Sequence, residues 1–267
     1  MVVTATESGR VLVNGIAIEV TERGKGRPLV FLHPGHPAGR LDSKAPILEL
    51  LSGGARVLAP THPGFGAEPA PRALTTIDDL AYLYLDLLDV LDLRDCVLVG
   101  AQLGGWIAAE MAIKSTARIS KLVLANSFGI KVGDRESRDI ADIYAITDKQ
   151  LAELAYADPA RAPSPKGLPE DQLMFMARSR ESTGRYAWSP YMHDPKLKGR
   201  LHRVNVPALV LWGAADRVVT PDYGRAFAAA IPGARFELIE GAGHLPHLEQ
   251  PEKFARAVTA FVGEAKP

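Results

Sequence analysis

The stretch Cys96-Val97-Leu98-Val99-Gly100-Ala101-Gln102-Leu103-Gly104-Gly105-Trp106-Ile107-Ala108-Ala109-Glu110 joins a short apolar run to a helical pattern through small residues. The residues at 100, 101, 104 and 105 let the backbone turn sharply and let strand and helix approach closely. Gln102 is thereby held out at the carboxyl end of a strand, beside a helix N-terminus. That place suits a group that meets substrate. A carboxamide, however, has no ionisable hydroxyl or thiol and is a very poor nucleophile. Further residue types able to do chemistry fall at the ends of apolar runs: His33, His36, His62 and His247, with Ser127 as a hydroxyl. These histidines show no H-x-x-x-H spacing and have no cysteine nearby, so hydrogen bonding at the loop bases is expected in place of a metal site. Ser127 lacks the tight turn of position 102 and ranks low as a substitute nucleophile.

The elements that position these residues alternate in type. Arg10 to Arg23 reads as a β-hairpin about Asn14-Gly15. Pro28–Leu32 and Ala55–Ala59 are apolar strands, and a short helix is expected over Ala45–Leu51. Thr76 is a candidate N-cap for an amphipathic helix carrying Leu80, Leu83, Tyr84, Leu87, Leu88 and Leu91. The Gln102 strand and helix follow, then a strand at Lys121–Ala125. From about Ile130 to Val204 strand runs disappear, and helical patterns are expected near Asp139–Tyr144, Lys149–Tyr156 and Glu170–Arg180, with a proline-rich loop at Asp158–Pro165. This reads as a helical cap inserted after the sixth strand and closed by Ser189–Pro195. Strands at Val206–Gly213 and Arg235–Ile239 and helices at Pro221–Ala230 and Pro251–Val262 complete the chain. Such alternation predicts an α/β fold whose parallel sheet binds ligands beyond the carboxyl ends of its strands.

With those residues in place, the Cys96–Glu110 stretch resembles the nucleophile elbow of the α/β-hydrolase superfamily, G-x-S-x-G, with glutamine where the family carries serine, aspartate or cysteine. Trp212–Pro221 looks like the loop bearing the family's acid, which implies that role for Asp216. Gly241–Pro251 looks like the loop bearing its histidine, which implies that role for His244. The resemblance runs from about residue 10 to 265 and implies the α/β-hydrolase fold: a mostly parallel central sheet flanked by helices, with a core domain over 1–129 and 205–267 and the cap over 130–204. In that family the carboxylate fixes the histidine tautomer, the histidine takes the nucleophile's proton, and backbone N–H groups bind the oxyanion. The resemblance implies one such donor at Leu103 and another in His33-Pro34-Gly35-His36, where Pro34 has no N–H and Gly35 is placed ahead of His36. Substrate contacts are assigned to His36, Trp106, Phe128 and Trp188. Tyr191 and Met174-Phe175-Met176 are further apolar candidates, with cap or helix–sheet packing as the plainer reading of most of them.

Composition bounds the rest. With 267 residues, 47% of them hydrophobic, the chain can bury one sizeable core. Lys plus Arg equals Asp plus Glu at 31 each, which gives no net field toward nucleic acid or a charged membrane. The single cysteine, Cys96, excludes a disulfide framework within the chain and reads as a small core hydrophobe. Met1–Glu7 lacks a leader pattern and no apolar run is long enough to span a bilayer, so a cytoplasmic protein is expected. A small-molecule substrate is expected, without cofactor or metal; the oligomeric state is left open, a homodimer included. Three readings of function follow. The first, from the resemblance, is hydrolysis of a small, largely apolar ester, lactone or carbon–carbon bond. The second is a non-hydrolytic enzyme of lyase, cyclase or isomerase type, with His244–Asp216 as general base. The third is a non-catalytic small-molecule binding protein.

Overall fold

The computed structural model describes residues 8–36, 41, 44–134, 136–164 and 166–264. The expectations placed on Met1–Glu7, Pro37 and Pro165 lie outside the described residues. The first described element is the hairpin of β1 (Ser8–Val13) and β2 (Ile16–Arg23). Its turn residues Asn14 and Gly15 take φ of 50° and 80°, the left-handed pair that matches the twist of the flanking strands. Then come β3 (Pro28–Leu32), β4 (Arg56–Pro60), β5 (Cys96–Ala101), β6 (Ile119–Ala125), β7 (Ala208–Gly213) and β8 (Arg235–Ile239). The eight strands form one sheet in the order β1-β2-β4-β3-β5-β6-β7-β8. The pairings of β2 with β1 and β4 are antiparallel, and the others are parallel.

Strict alternation of side chains divides the interior into two layers. On β3, Leu29 and Phe31 enter one core while Val30 and Leu32 enter the other; Val97, Val99 and Ala101 part from Cys96 and Leu98 in the same way on β5. The first layer is covered by α1 (Pro46–Ser52) and α9 (Pro251–Gly263), the second by α2 (Ile77–Val90), α3 (Leu103–Lys114) and α7 (Pro221–Ala229). Each fully buried aliphatic side chain contributes roughly 1.5–3 kcal/mol. Cys96 is buried among them, and burial pushes its thiol up to about 12, which makes it inert. Thr76 caps α2 in a reciprocal capping box with Asp79. At the far end of the sheet the Lys121 ammonium, 1% exposed, donates to the carbonyls of Phe261, Val262 and Glu264 at 2.6, 3.1 and 2.7 Å, closing the C-terminus of α9.

Residues 126–207 form an insertion between β6 and β7 that carries α4 (Asp148–Ala155), α5 (Glu170–Ala187) and α6 (Leu197–Arg200). The helix expected over Asp139–Tyr144 does not form. The Asp139 carboxylate instead accepts from the backbone N–H groups of Val132 and Gly133, Ile140 bridges to Val219, and Asp142 accepts from Tyr144 N–H. Aspartates that satisfy nearby backbone donors favour turns over helix, and here they outweigh the apolar spacing. Helix α5 runs on past Arg180 to Ala187, with a buried stripe of Ser179, Ser182, Thr183 and Tyr186. Ser182 Oγ donates to Gly64 O at 2.8 Å and Tyr186 Oη to Pro63 O at 3.0 Å, which seats the helix over the loop that follows β4. Its N-terminal half is open, with Leu173 and Met174 42% and 48% exposed. A last short helix, α8 (Pro246–Glu249), precedes α9.

Candidate functional site

Gln102 sits between β5 and α3 at φ 48°, ψ −110°, a conformation that L residues rarely adopt and that the surroundings must enforce. Its backbone is held on three sides: its N–H donates to Ala125 O at 2.9 Å, and its carbonyl accepts from Trp106 and Phe128 N–H at 3.0 and 3.2 Å. The turn closes only because the neighbouring positions are glycine. A Cβ on Gly104 would lie 2.2 Å from Leu32 O, and one on Gly105 would lie 1.9 Å from Ser127 Oγ. The Gln102 side chain is 2% exposed and donates through Nε2 to His244 O at 2.8 Å. A carbonyl oxygen can only accept, so this bond fixes which end of the carboxamide is nitrogen.

His244 Nδ1 lies 2.8 Å from Asp216 Oδ2, and both side chains are buried. Asp216 receives three other donors: Val218 and Val219 N–H on Oδ1 at 2.9 and 3.0 Å, and Asn126 Nδ2 on Oδ2 at 2.6 Å. A carboxylate so held takes the Nδ1 proton of the imidazole as its fourth donor and leaves the lone pair on Nε2. Among the described residues Nε2 has no hydrogen-bond partner. Asn126 was missed in the sequence. It follows β6 at φ 45°, a conformation asparagine tolerates, and its side chain spans both loops: Oδ1 accepts from Gly213 N–H at 3.2 Å, and Nδ2 also reaches Gly243 O at 3.3 Å. The signal available was an asparagine at a strand end directly after an apolar run.

The other expected residues divide. Phe128 is buried, with its ring centroid 5.4 Å from that of His244. His36 is half-buried in the loop after β3, and burial pushes it down to about 4, with His244 and Arg180 adding to the shift. Gly35, expected as an oxyanion donor, instead points its N–H at His33 Nδ1, 3.1 Å away, and Leu103 N–H faces Pro34 O at 3.4 Å. Pro34 supplies no N–H and fixes its own φ, and Gly35 at φ 76° turns the loop back upon itself. The Leu103 and Gly35 N–H groups thus face protein groups at 3.4 and 3.1 Å, although the His33 ring also faces His62 N–H through Nε2 at 2.9 Å and can accept at one nitrogen only. Trp106 and Trp188 do not join Gln102 and His244. The Trp106 ring lies against Gly129 and lines an outer groove of about 710 Å³ with Thr76, Glu110 and Tyr186. Trp188 is 57% exposed at the end of α5, edge-on to Tyr144 and Tyr191.

The remaining histidines are structural in geometry. His33 and His62 stack with ring centroids 3.7 Å apart; His62 donates from Nε2 to His33 O at 2.9 Å, and its Nδ1 meets Tyr84 Oη at 2.5 Å. Among the described residues no group of three or more histidine, cysteine, aspartate or glutamate side chains is arranged to hold a metal ion. His247 is 1% exposed beside Phe31 and Phe254, and neither ring nitrogen has a hydrogen-bond partner among the described residues. Burial pushes His62 down to about 4, and burial reinforced by His36 and His244 pushes His247 down to about 3. The folded chain refuses protons that the unfolded chain accepts below the ordinary value of 6.5. Stability is thus full above pH 6.5 and declines as pH falls toward 4, by about 1.4 kcal/mol per pH unit for each such histidine. Urea unfolding at several pH values between 4 and 7 is expected to show this slope, and His247→Leu to remove about one proton's share of it. A slope unchanged in that variant would count against the buried neutral His247.

The tight turn after β5, the acid after β7 and the histidine after β8 lie within residues 29–257, which match the family model described as "Alpha/beta hydrolase family". The chain belongs to the alpha/beta hydrolase family. This alpha/beta hydrolase is 25% identical over 280 residues to 2-hydroxymuconate semialdehyde hydrolase of Pseudomonas sp. (97% of this chain, 95% of the relative). It is 26% identical over 205 residues to 3-oxoadipate enol-lactonase 2 of Acinetobacter baylyi (74% and 75%). In fold it is similar to the solved meta-cleavage product hydrolase CumD of Pseudomonas fluorescens, with a TM-score of 0.77 at 20% identity over 97% of this chain and 98% of that one. The relatives act on small molecules by name, and the family is one of hydrolases. Among the described residues no helix is long and apolar enough to cross a membrane.

Proposed function

We propose that this alpha/beta hydrolase acts on a small, largely apolar ester, lactone or carbon–carbon bond by general-base catalysis, without a covalent intermediate. One observation carries the reading. The His244–Asp216 pair is assembled at 2.8 Å, while the position of attack holds a carboxamide tied to His244 O. His244 Nε2 takes a proton from water, the water oxygen adds to the substrate carbonyl, and Asp216 stabilises the imidazolium. The proton then passes from His244 to the departing group as the tetrahedral adduct collapses. Gln102 Nε2 carries a second hydrogen beyond the one given to His244 O, and that hydrogen serves the developing oxyanion in place of the redirected Gly35 N–H. The named substrates of the relatives, 2-hydroxymuconate semialdehyde and an enol-lactone, support this substrate class. In this reading the insertion of α4 to α6 is a helical cap over the site, and the protein works in the cytoplasm on a small molecule, with neither nucleic acid nor membrane as partner.

The test is turnover by the unaltered chain on a short aryl ester, an enol-lactone and a ring-cleavage dienone. Hydrolysis of one class, at a rate set by a single histidine-like ionisation, is the expected result. Thermal stabilisation by such compounds with turnover of none would overturn the reading and leave a binding protein.

A further inference from the structure

The loop that carries His244 lies between the end of β8 and α8, outside the sheet ladder, and something else must fix it. Two groups do. His244 N–H donates to Ala155 O, at the end of α4, at 2.6 Å. In the same turn Leu154 O accepts from the N–H of Arg217, the residue after Asp216, at 3.0 Å. The last carbonyls of one insertion helix thus receive the backbone of both the histidine loop and the acid loop, and these carbonyls have no partner within their own helix. The approach is close: a Cβ on Gly243 would lie 2.3 Å from Ala155 O.

The second group is Glu249, 5% exposed. Its Oε1 accepts from Gly243 N–H at 2.9 Å and Leu245 N–H at 3.3 Å, the residues on either side of His244. Its Oε2 accepts from Ala157 N–H at 2.8 Å, just beyond α4. One buried carboxylate therefore binds the histidine loop with one oxygen and the insertion with the other. Among the described residues its carboxylate hydrogen-bonds to neither side chain of the pair.

The geometry points to Glu249 as a positioning residue that makes the His244–Asp216 contact depend on the seating of α4 against the histidine loop. A glutamine here is nearly the same size but offers a single acceptor oxygen, and its NH₂ must face backbone N–H groups that have nothing to accept with. The loop then loses its grip on one side, and the imbalance falls on the backbone of His244. Displacement of α4 from the core would act on the same contact, so the insertion is coupled to the base through this carboxylate. The inference concerns the His244–Asp216 pair on which the proposed function also rests, and its test needs no substrate.

The experiment is proton NMR of the full chain with ¹⁵N-labelled histidine, observing the low-field Nδ1–H resonance of His244 hydrogen-bonded to Asp216. The wild type, Glu249→Gln and Lys121→Met are compared at a temperature where circular dichroism shows all three folded. Lys121→Met removes a comparable set of buried hydrogen bonds to the end of α9 and controls for lost stability. Expected is loss or exchange broadening of the resonance in Glu249→Gln and its retention in Lys121→Met. Where a substrate is in hand, kcat falls tenfold or more with KM little changed. Should Glu249→Gln fail to fold, Ala157→Pro removes only the donor on the insertion side. Tyr156 before it, at ψ 143°, already has the extended backbone a following proline requires, and the same loss is expected. A sharp resonance that persists in a folded variant, or its equal loss in Lys121→Met, would overturn the inference. Absence of turnover on every substrate bears on the proposed function and leaves this result intact.

Discussion

Replacing His244 by alanine is expected to lower kcat/KM by about 10²–10⁴ with little change in fold, because it removes the base that Asp216 orients beside Gln102. The fold should survive because the loop is held through backbone N–H groups and through Glu249, not through the imidazole. Asp216→Asn is expected to act in the same direction. Its amide would face the Val218 and Val219 N–H groups or the His244 ring with a donor, and the tautomer that keeps the lone pair on Nε2 would be lost. Gln102→Ala should lose about 10²–10³, as removal of one oxyanion donor does, since its carboxamide contributes a hydrogen bond and no bond-making atom. Steady-state kinetics of the three variants on one substrate decides the matter. A Gln102→Ala variant as active as the wild type would mean that the carboxamide gives the oxyanion nothing.

Gly104→Ala is expected to destabilise the chain by about 3 kcal/mol, toward the upper end for overpacking. The added methyl would lie 2.2 Å from Leu32 O and 2.6 Å from His33 O, backbone atoms at the end of β3 that cannot swing aside as a flexible side chain can. Either α3 or the end of β3 must move, and both are anchored at the site. Gly54→Ala is the matched control. It has no atom within 4 Å of the new methyl and an ordinary backbone, and is expected to change stability by less than about 0.5 kcal/mol. Urea midpoints of the two variants measure the contrast. Equal midpoints would mean that the turn is looser than its contacts indicate.

Strands β3 to β7 were legible because they read as near-continuous apolar runs, as strands buried on both faces must, and because the runs end in residues that turn the chain: His33, Pro60, Gly100, Asn126 and Gly213. The Gln102 turn was legible from spacing alone, since only small residues permit a strand and a helix to cross at backbone distance. What could not be read was long-range hydrogen bonding. Asn126 and Glu249 each join segments far apart in sequence, and nothing local distinguishes them from ordinary polar residues. The direction of the Gly35 N–H was hidden for a related reason: it depends on a His33 nitrogen and on the backbone around Pro34. Trp188 was assigned to the pocket on its apolar character; at the end of α5 it is edge-on to Tyr144 and Tyr191 and lines the outer groove with Trp106. The helix expected over Asp139–Tyr144 failed because apolar periodicity takes no account of carboxylates that satisfy neighbouring N–H groups.

The most direct test of a base that acts without a nucleophile is rapid-quench intact-mass spectrometry of the wild type at saturating substrate, followed by peptide mapping. The account predicts product release with no acyl or other substrate-derived mass on the protein at any time. A substrate-derived adduct that forms and decays at the rate of turnover would contradict it. Ser127, buried beside the Gln102 turn with an unpartnered hydroxyl, is the first position to inspect for that adduct.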